Sequence, residues 1–229
     1  MMKWYAAFLS LCFCFAFCAA ASMAMAENDT YKKALIRGRA NMGFDNGGTA
    51  EYNYQKVKNG VAQNSQNGQS ANSNLQNKNI KEVYQYVEVD GNTDTATVKK
   101  VGDVDLGNVK TSHNMRVIDN TVKVNGNVNA GRQSEDVNIG AVNLAKGAKV
   151  DAIDNNVSVK GGIKSKGDVN VGSVTLNGGS AGQINNSTVV NGDINASGQE
   201  VTVGGVRITG GTVTGVRSQT TITGGVNSQ

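Results

Sequence analysis

Four acidic residues recur at one position of a short repeated phrase: Asp103 in DVDLGNV, Asp136 in DVNIGAV, Asp168 in DVNVGSV and Glu200 in EVTVGGV. The copies start 33, 32 and 32 residues apart. Carboxylates gathered from such copies would repel one another, raising the upper pKa values, or would collect a cation such as calcium. The expected outcome is plainer, with each side chain capping a turn that faces water. The RTX pattern that would make calcium the expectation is missing, so no cofactor is assigned.

Other chemistry has little to build on. The only histidine, His113, has no cysteine near it in sequence and reads as a surface residue of an inter-strand loop. All three cysteines (Cys12, Cys14, Cys18) fall within the first 26 residues. GxGxxG and P-loop patterns are absent, so nucleotide binding has no support. An ice-binding face would need aligned Thr-x-Thr, but the residue between the repeated apolar pair is Asp105, Asn138, Asn170 and Thr202 in turn. No catalytic or metal-binding residue is assigned, and the chain is expected not to be an enzyme.

The carboxylates therefore matter as markers of what positions them. A second phrase keeps pace with the first: IDNTVKVNGNV from Ile118, IDNNVSVKGGI from Ile153, INNSTVVNGDI from Ile184 and VRSQTTITGGV from Val216. A period of 20 to 50 residues marks stacked units. Within each unit the apolar period is two, and Gly and Asn separate the β-branched pairs. That pattern describes short strands between bends that admit positive φ.

The fold class expected is all-β. It is a β-solenoid of stacked coils of about 32 residues, with parallel strands about 4.8 Å apart, following a poorly structured N-terminal region. Three inward ladders follow: Val104, Val137, Val169 and Val201; Leu106, Ile139, Val171 and Val203; Ile118, Ile153, Ile184 and Val216. Gly107, Gly140, Gly172 and Gly204 should turn one corner, and Gly126, Gly161, Gly192 and Gly224 another. From Val87 onward there is no aromatic residue, as a narrow core of Val and Ile requires. A β-sandwich of hairpins would not need matching chemistry in every unit.

Ahead of the repeats, residues 1–26 have the layout of a secretory signal peptide: Lys3, an apolar run, and Ala24-Met25-Ala26 before Glu27. A transmembrane anchor would need a longer run, and a lipoprotein reading on Cys18 would need a small residue where Phe17 stands. Lys3 is the leader's one charge, so the +4 of the whole chain falls to +3 without it. That balance, with no basic block, does not point to nucleic acid. Residues 27–58 form a small mixed segment in which YKKALIRGRANMGF could begin as a short helix. Residues 59–79 are an Asn/Gln/Ser-rich linker, or a polar tract able to join a β-stack. Residues 80–102 hold a first strand or N-terminal cap before the four-repeat solenoid of residues 103–229.

A leader, a thiol-free remainder and imperfect Asn/Gly-rich repeats together resemble the secreted functional amyloids and β-solenoid matrix proteins of bacteria. The likeness is to Fap-type fibre subunits and, more loosely, to curli. VSVKGGIKSKGDVNVGSV is also similar to bactofilins, although the leader argues against membership. The spacing of curli repeats and the C-terminal Cys pair of Fap-type subunits are both missing.

The resemblance implies an extracellular or cell-surface structural protein that meets the membrane only during export. The last repeat, TITGGVNSQ, shows no amphipathic helix or charge cluster guarding it. Its strand edge should therefore be extended by another copy of the chain, giving a head-to-tail homopolymer that could include other matrix or fibre components. The alternative is a monomeric adhesin or carbohydrate-binding solenoid, whose recognition surface would fall among Tyr31, Phe44, Tyr52, Tyr54, Tyr84 and Tyr86.

Overall fold

The computed structural model describes residues 32–37, 50–58, 70–75, 80–94, 103–131, 135–198 and 200–228. The leader of residues 1–26, Tyr31, Phe44 and most of the 59–79 tract lie outside the described residues. The described chain is a β-solenoid, and every strand pair in it is parallel.

Three sheets run along the stack. The long sheet orders β1 (Ala50–Lys58), β3 (Glu82–Asp90), β6 (Met115–Asn125), β10 (Lys149–Lys160), β14 (Ser180–Asn191) and β18 (Thr212–Thr223). The short sheet orders β4 (Thr93–Asp94), β7 (Val128–Ala130), β11 (Ile163–Ser165), β15 (Ile194–Ala196) and β19 (Val226–Ser228).

The third sheet is kinked. It begins with β2 (Ser70–Leu75) on β5 (Val104–Thr111). From β5 it continues as two parallel columns: β8 (Val137–Ile139), β12 (Val169–Val171) and β16 (Val201–Val203), then β9 (Val142–Leu144), β13 (Val174–Asn177) and β17 (Val206–Thr209). Both columns pair with the single strand β5. They are therefore two halves of one face.

This changes the role of one set of glycines. Gly107, Gly140, Gly172 and Gly204 do not turn a corner between faces; they bend the kinked sheet in its middle. Gly140 takes φ +64°, which L side chains rarely adopt, and a Cβ there would collide with Val157 of the opposite long sheet. The bend presses the two sheets together and divides the core in two. One half contains Val104, Ile139, Val159 and Ile163, and the other contains Val109, Ile118, Leu144 and Ile153. Gly126, Gly161, Gly192 and Gly224 lie between the long and short sheets, tight against the rung above. A Cβ on Gly161 would overlap the Gly126 carbonyl directly above it.

The stack also reaches further up the chain than the four repeats. β1 and β3 continue the long sheet in register, with Glu51 on Val83, Asn53 on Gln85 and Gln55 on Val87. Within the 59–79 tract, Ser70–Leu75 joins the kinked sheet, so the tract is not a linker throughout. A six-residue helix at residues 32–37 lies against the outer face of β1 and β3, with Ile36 buried against Tyr52 and Tyr86. The tyrosines thus sit outside the coil, where there is room for a ring. Tyr52 stacks on Tyr84 at 5.0 Å and Tyr54 on Tyr86 at 5.9 Å.

Val171 is fully buried and stacked between Ile139 and Val203. Val171→Asp is predicted to destabilise the fold by about 3 kcal/mol or more, since a carboxylate there has no partner. Urea unfolding followed by circular dichroism measures this; a midpoint equal to that of the unmodified protein contradicts the register.

Candidate functional site

The structure brings each column of equivalent residues together. Val104, Val137, Val169 and Val201 are successive register partners, as are Leu106, Ile139, Val171 and Val203. Ile118, Ile153, Ile184 and Val216 form the third column.

The carboxylate column runs along the outside of the kinked sheet, where each member serves the next rung. Asp103 Oδ1 accepts the Asp136 N–H at 3.0 Å, Asp136 Oδ1 that of Asp168 at 2.8 Å, and Asp168 Oδ1 that of Glu200 at 2.9 Å. The arrangement is a chain of side-chain caps on the loop that enters each rung. Among the described residues, no group of three or more His, Cys, Asp or Glu is placed to hold a metal ion.

Beside that column runs a second one: Asp105, Asn138, Asn170 and Thr202. Asp105 is its only charged member. Burial pushes the Asp105 carboxyl up, the Asn138 and Asn108 amides donating to Oδ1 at 3.1 and 3.0 Å pull it down, and Asp103 adds to the upward push. The bend makes this outer face concave, forming a groove of about 600 Å³ over the later rungs. Asp168, Asn170, Glu200, Thr202 and Arg207 line it. Ser173, only 4% exposed, also lines it, and its Oγ has no hydrogen-bond partner; neither has the buried Oδ1 of Asn170.

The column with the most consistent chemistry was not singled out from sequence. Gln85, Asn120 and Asn155 are buried one above another in the pinch between the core halves, with Asn186 below them. Gln85 Nε2 donates to Asn120 Oδ1 at 3.0 Å, Asn120 Nδ2 to Asn155 Oδ1 at 2.9 Å, and Asn155 Nδ2 to Asn186 Oδ1 at 3.0 Å. Asn120 and Asn186 also donate to the bend carbonyls of Gly107 and Gly204, at 2.9 and 3.0 Å. Carbonyls turned inward by the bend would otherwise be orphaned in an apolar core. The signal was available, because the third residue of the second phrase is Asn in three copies and Ser218 in the fourth.

The two ends of the described stack differ. At the β1 end the core-facing side carries Glu51, Asn53 and Gln55. At the β18 end it carries apolar side chains that no described residue covers. Val216 is 49% exposed, Ile208 41% and Val226 47%, whereas their partners one rung up, Ile184, Leu176 and Ile194, are fully buried.

Charges concentrate near β1. Burial would push the Glu88 carboxyl up, but ion pairs with Lys33 and Lys56 hold it below the usual carboxylate range. Burial, with Glu82 beside it, pushes the Tyr84 hydroxyl up to about 12. Both the helix and these pairs cover the tyrosines from outside, with Lys33 5.4 Å from the Tyr86 ring centroid and Arg37 5.8 Å from that of Tyr54. His113 sits in the loop between β5 and β6, its Nδ1 3.3 Å from Ser112 Oγ.

Asp105 gives a test with a definite sign. A carboxyl raised in the folded state binds its proton more tightly there, so it costs stability as pH rises above its unfolded value and the cost disappears in acid. Asp105→Asn keeps an acceptor oxygen for both amides and removes the charge. It is predicted to raise Tm at pH 7 by about 2–4 °C, with no gain below about pH 3. Thermal unfolding at the two pH values checks this; equal Tm values at pH 7 contradict it.

No known protein family, curated protein or solved structure matches the chain.

Proposed function

We propose that this chain is an exported structural protein that assembles by stacking solenoid on solenoid into an extracellular filament or surface matrix fibre. The observation that carries the reading is the bare β18 end. Val216, Ile208 and Val226 are half-exposed there, while the residues at their positions in every preceding rung are buried. The strands of that rung pair on one side only among the described residues, and an unpaired parallel edge is a template for another chain. Covering Val216, Ile208 and Val226 would contribute roughly 1 kcal/mol or more each. Export follows from the leader-like residues 1–26, and self-assembly needs no cofactor.

A second reading, a monomeric adhesin or carbohydrate-binding solenoid, draws on the groove beside Ser173. Its carboxylates, amides and hydroxyls suit a polyol, but it has no aromatic ring on which a sugar could stack. The tyrosine surface first considered for this role is partly covered by the helix at residues 32–37.

Two measurements follow. Purified protein at micromolar concentration is expected to pellet, to form filaments in electron micrographs, and to give a meridional reflection near about 4.8 Å. Val216→Lys should abolish pelleting without changing the melting profile. Protein that stays monomeric and retains a glycan instead supports the second reading. Mass spectrometry of secreted protein is expected to show a chain starting at Glu27; an intact leader on the mature protein contradicts export by cleavage.

A further inference from the structure

The groove of the kinked sheet carries charge against the sign of the chain. The protein has a formal net charge of +4, yet the groove is lined by the carboxylates of Asp136, Asp168 and Glu200 against one cation, Arg207. The three carboxylates belong to successive rungs. One oxygen of Asp136 and of Asp168 accepts the backbone N–H of the next rung, and one oxygen of Glu200 accepts the Thr202 hydroxyl. Among the described residues no donor reaches the second oxygen of any of them.

The floor beside the bend decides where the groove opens. Its position is Asn108, Ala141, Ser173 and Gly205 in successive rungs, each one residue before a register partner. Asn108 fills the first rung: its Nδ2 donates to Asp105 Oδ1 at 3.0 Å and its Oδ1 accepts the Ala141 N–H at 2.9 Å. From Ala141 onward the position holds only small residues. Ser173 alone among them has a side-chain polar atom; it is 96% buried, and its Oγ has no hydrogen-bond partner. In the same rung Asn170 Oδ1 is buried without a donor. The Asp168 rung thus offers the groove a carboxylate, an amide oxygen and a hydroxyl oxygen, all of which take a donor from outside the chain.

We propose that this groove binds a linear polyamine lying along the stack, one ammonium group to each carboxylate. The spacing selects the ligand. Carboxylates one rung apart are separated by about 4.8 Å along the axis, and two nitrogens joined by an extended three-carbon chain are about 4.9 Å apart by standard bond lengths and angles. A four-carbon spacer, at about 6 Å, falls out of step by the third rung. The middle nitrogen of a triamine falls in the Asp168 rung, where its N–H groups meet a charged acceptor together with neutral ones. A neutral sugar would leave three carboxylates unmatched and find no ring to stack on. Arg207 follows Thr175 in its column, in the rung of Glu200, and forms no ion pair with a described residue, so it opposes the cation at that end of the site. The groove lies on the flank of the stack, and binding there does not depend on self-assembly.

Calorimetric titration of the purified protein at low salt tests the inference. Norspermidine, a triamine with two three-carbon spacers, is expected to bind one to one, and homospermidine, with the same charge on two four-carbon spacers, at least about threefold more weakly. Asp168→Asn keeps an oxygen for the Glu200 N–H and removes the charge; it should weaken norspermidine binding by about five- to tenfold with an unchanged melting profile. Ser173→Ala, the side chain that Ala141 already places one rung away, should weaken it by about threefold, and Arg207→Gln should tighten it. No binding at millimolar norspermidine, equal affinity for the two triamines, or an affinity that neither Asp168→Asn nor Ser173→Ala changes would each overturn the inference. Binding of a neutral oligosaccharide that Ser173→Ala abolishes would also overturn it, and would give the groove to the carbohydrate-binding reading.

Discussion

Everything in this molecule follows from one constraint: in a parallel in-register stack, each residue lies over its own counterpart about 4.8 Å away. Each position must therefore tolerate itself. Valine on valine satisfies this in the core, and glycine on glycine satisfies it where Gly126, Gly161 and Gly192 pass so closely that any Cβ would strike a carbonyl. Asparagine on asparagine satisfies it because a carboxamide is donor at one end and acceptor at the other. Carboxylates do not satisfy it in the interior. They recur at Asp103, Asp136, Asp168 and Glu200 on the outside, where each accepts a backbone N–H from the next rung.

The bend at Gly140 and its equivalents divides what would otherwise be one apolar slab. Between the halves, the Gln85–Asn120–Asn155–Asn186 column meets inward-turned carbonyls and fixes the stack at one register. A slip of one residue would put carboxamides where valines belong and point every core side chain outward. A fully satisfied polar column inside an apolar core therefore supplies uniqueness, while the Val and Ile ladders supply most of the burial.

Those ladders were legible because the two phrases match position by position, so Val104 and Val137, or Ile118 and Ile153, could be paired by alignment alone. The role of Gly140 was not legible, since a glycine at positive φ serves equally in a corner and in a bend. Which one it makes depends on β8 and β9 sharing β5, a long-range pairing. β1 escaped notice because Glu51, Asn53 and Gln55 occupy positions that Val83, Gln85 and Val87 fill below them, which erases the apolar alternation. The half-exposed Val216 and Val226 fall in the last repeat, where the repeat pattern places apolar residues at inward positions.

The most direct measurement is cross-linking by a designed cysteine pair in protein with Cys12, Cys14 and Cys18 removed. Counterparts in adjacent parallel rungs fall within the Cα separation a disulfide accepts, about 4.4–6.8 Å. With Lys164→Cys and Asn195→Cys in the same chain, mild oxidation should close an intramolecular disulfide that shifts mobility on a non-reducing gel, whereas Lys164→Cys with Asn227→Cys, two rungs apart, should not. Closure of the second pair but not the first would contradict the in-register stack.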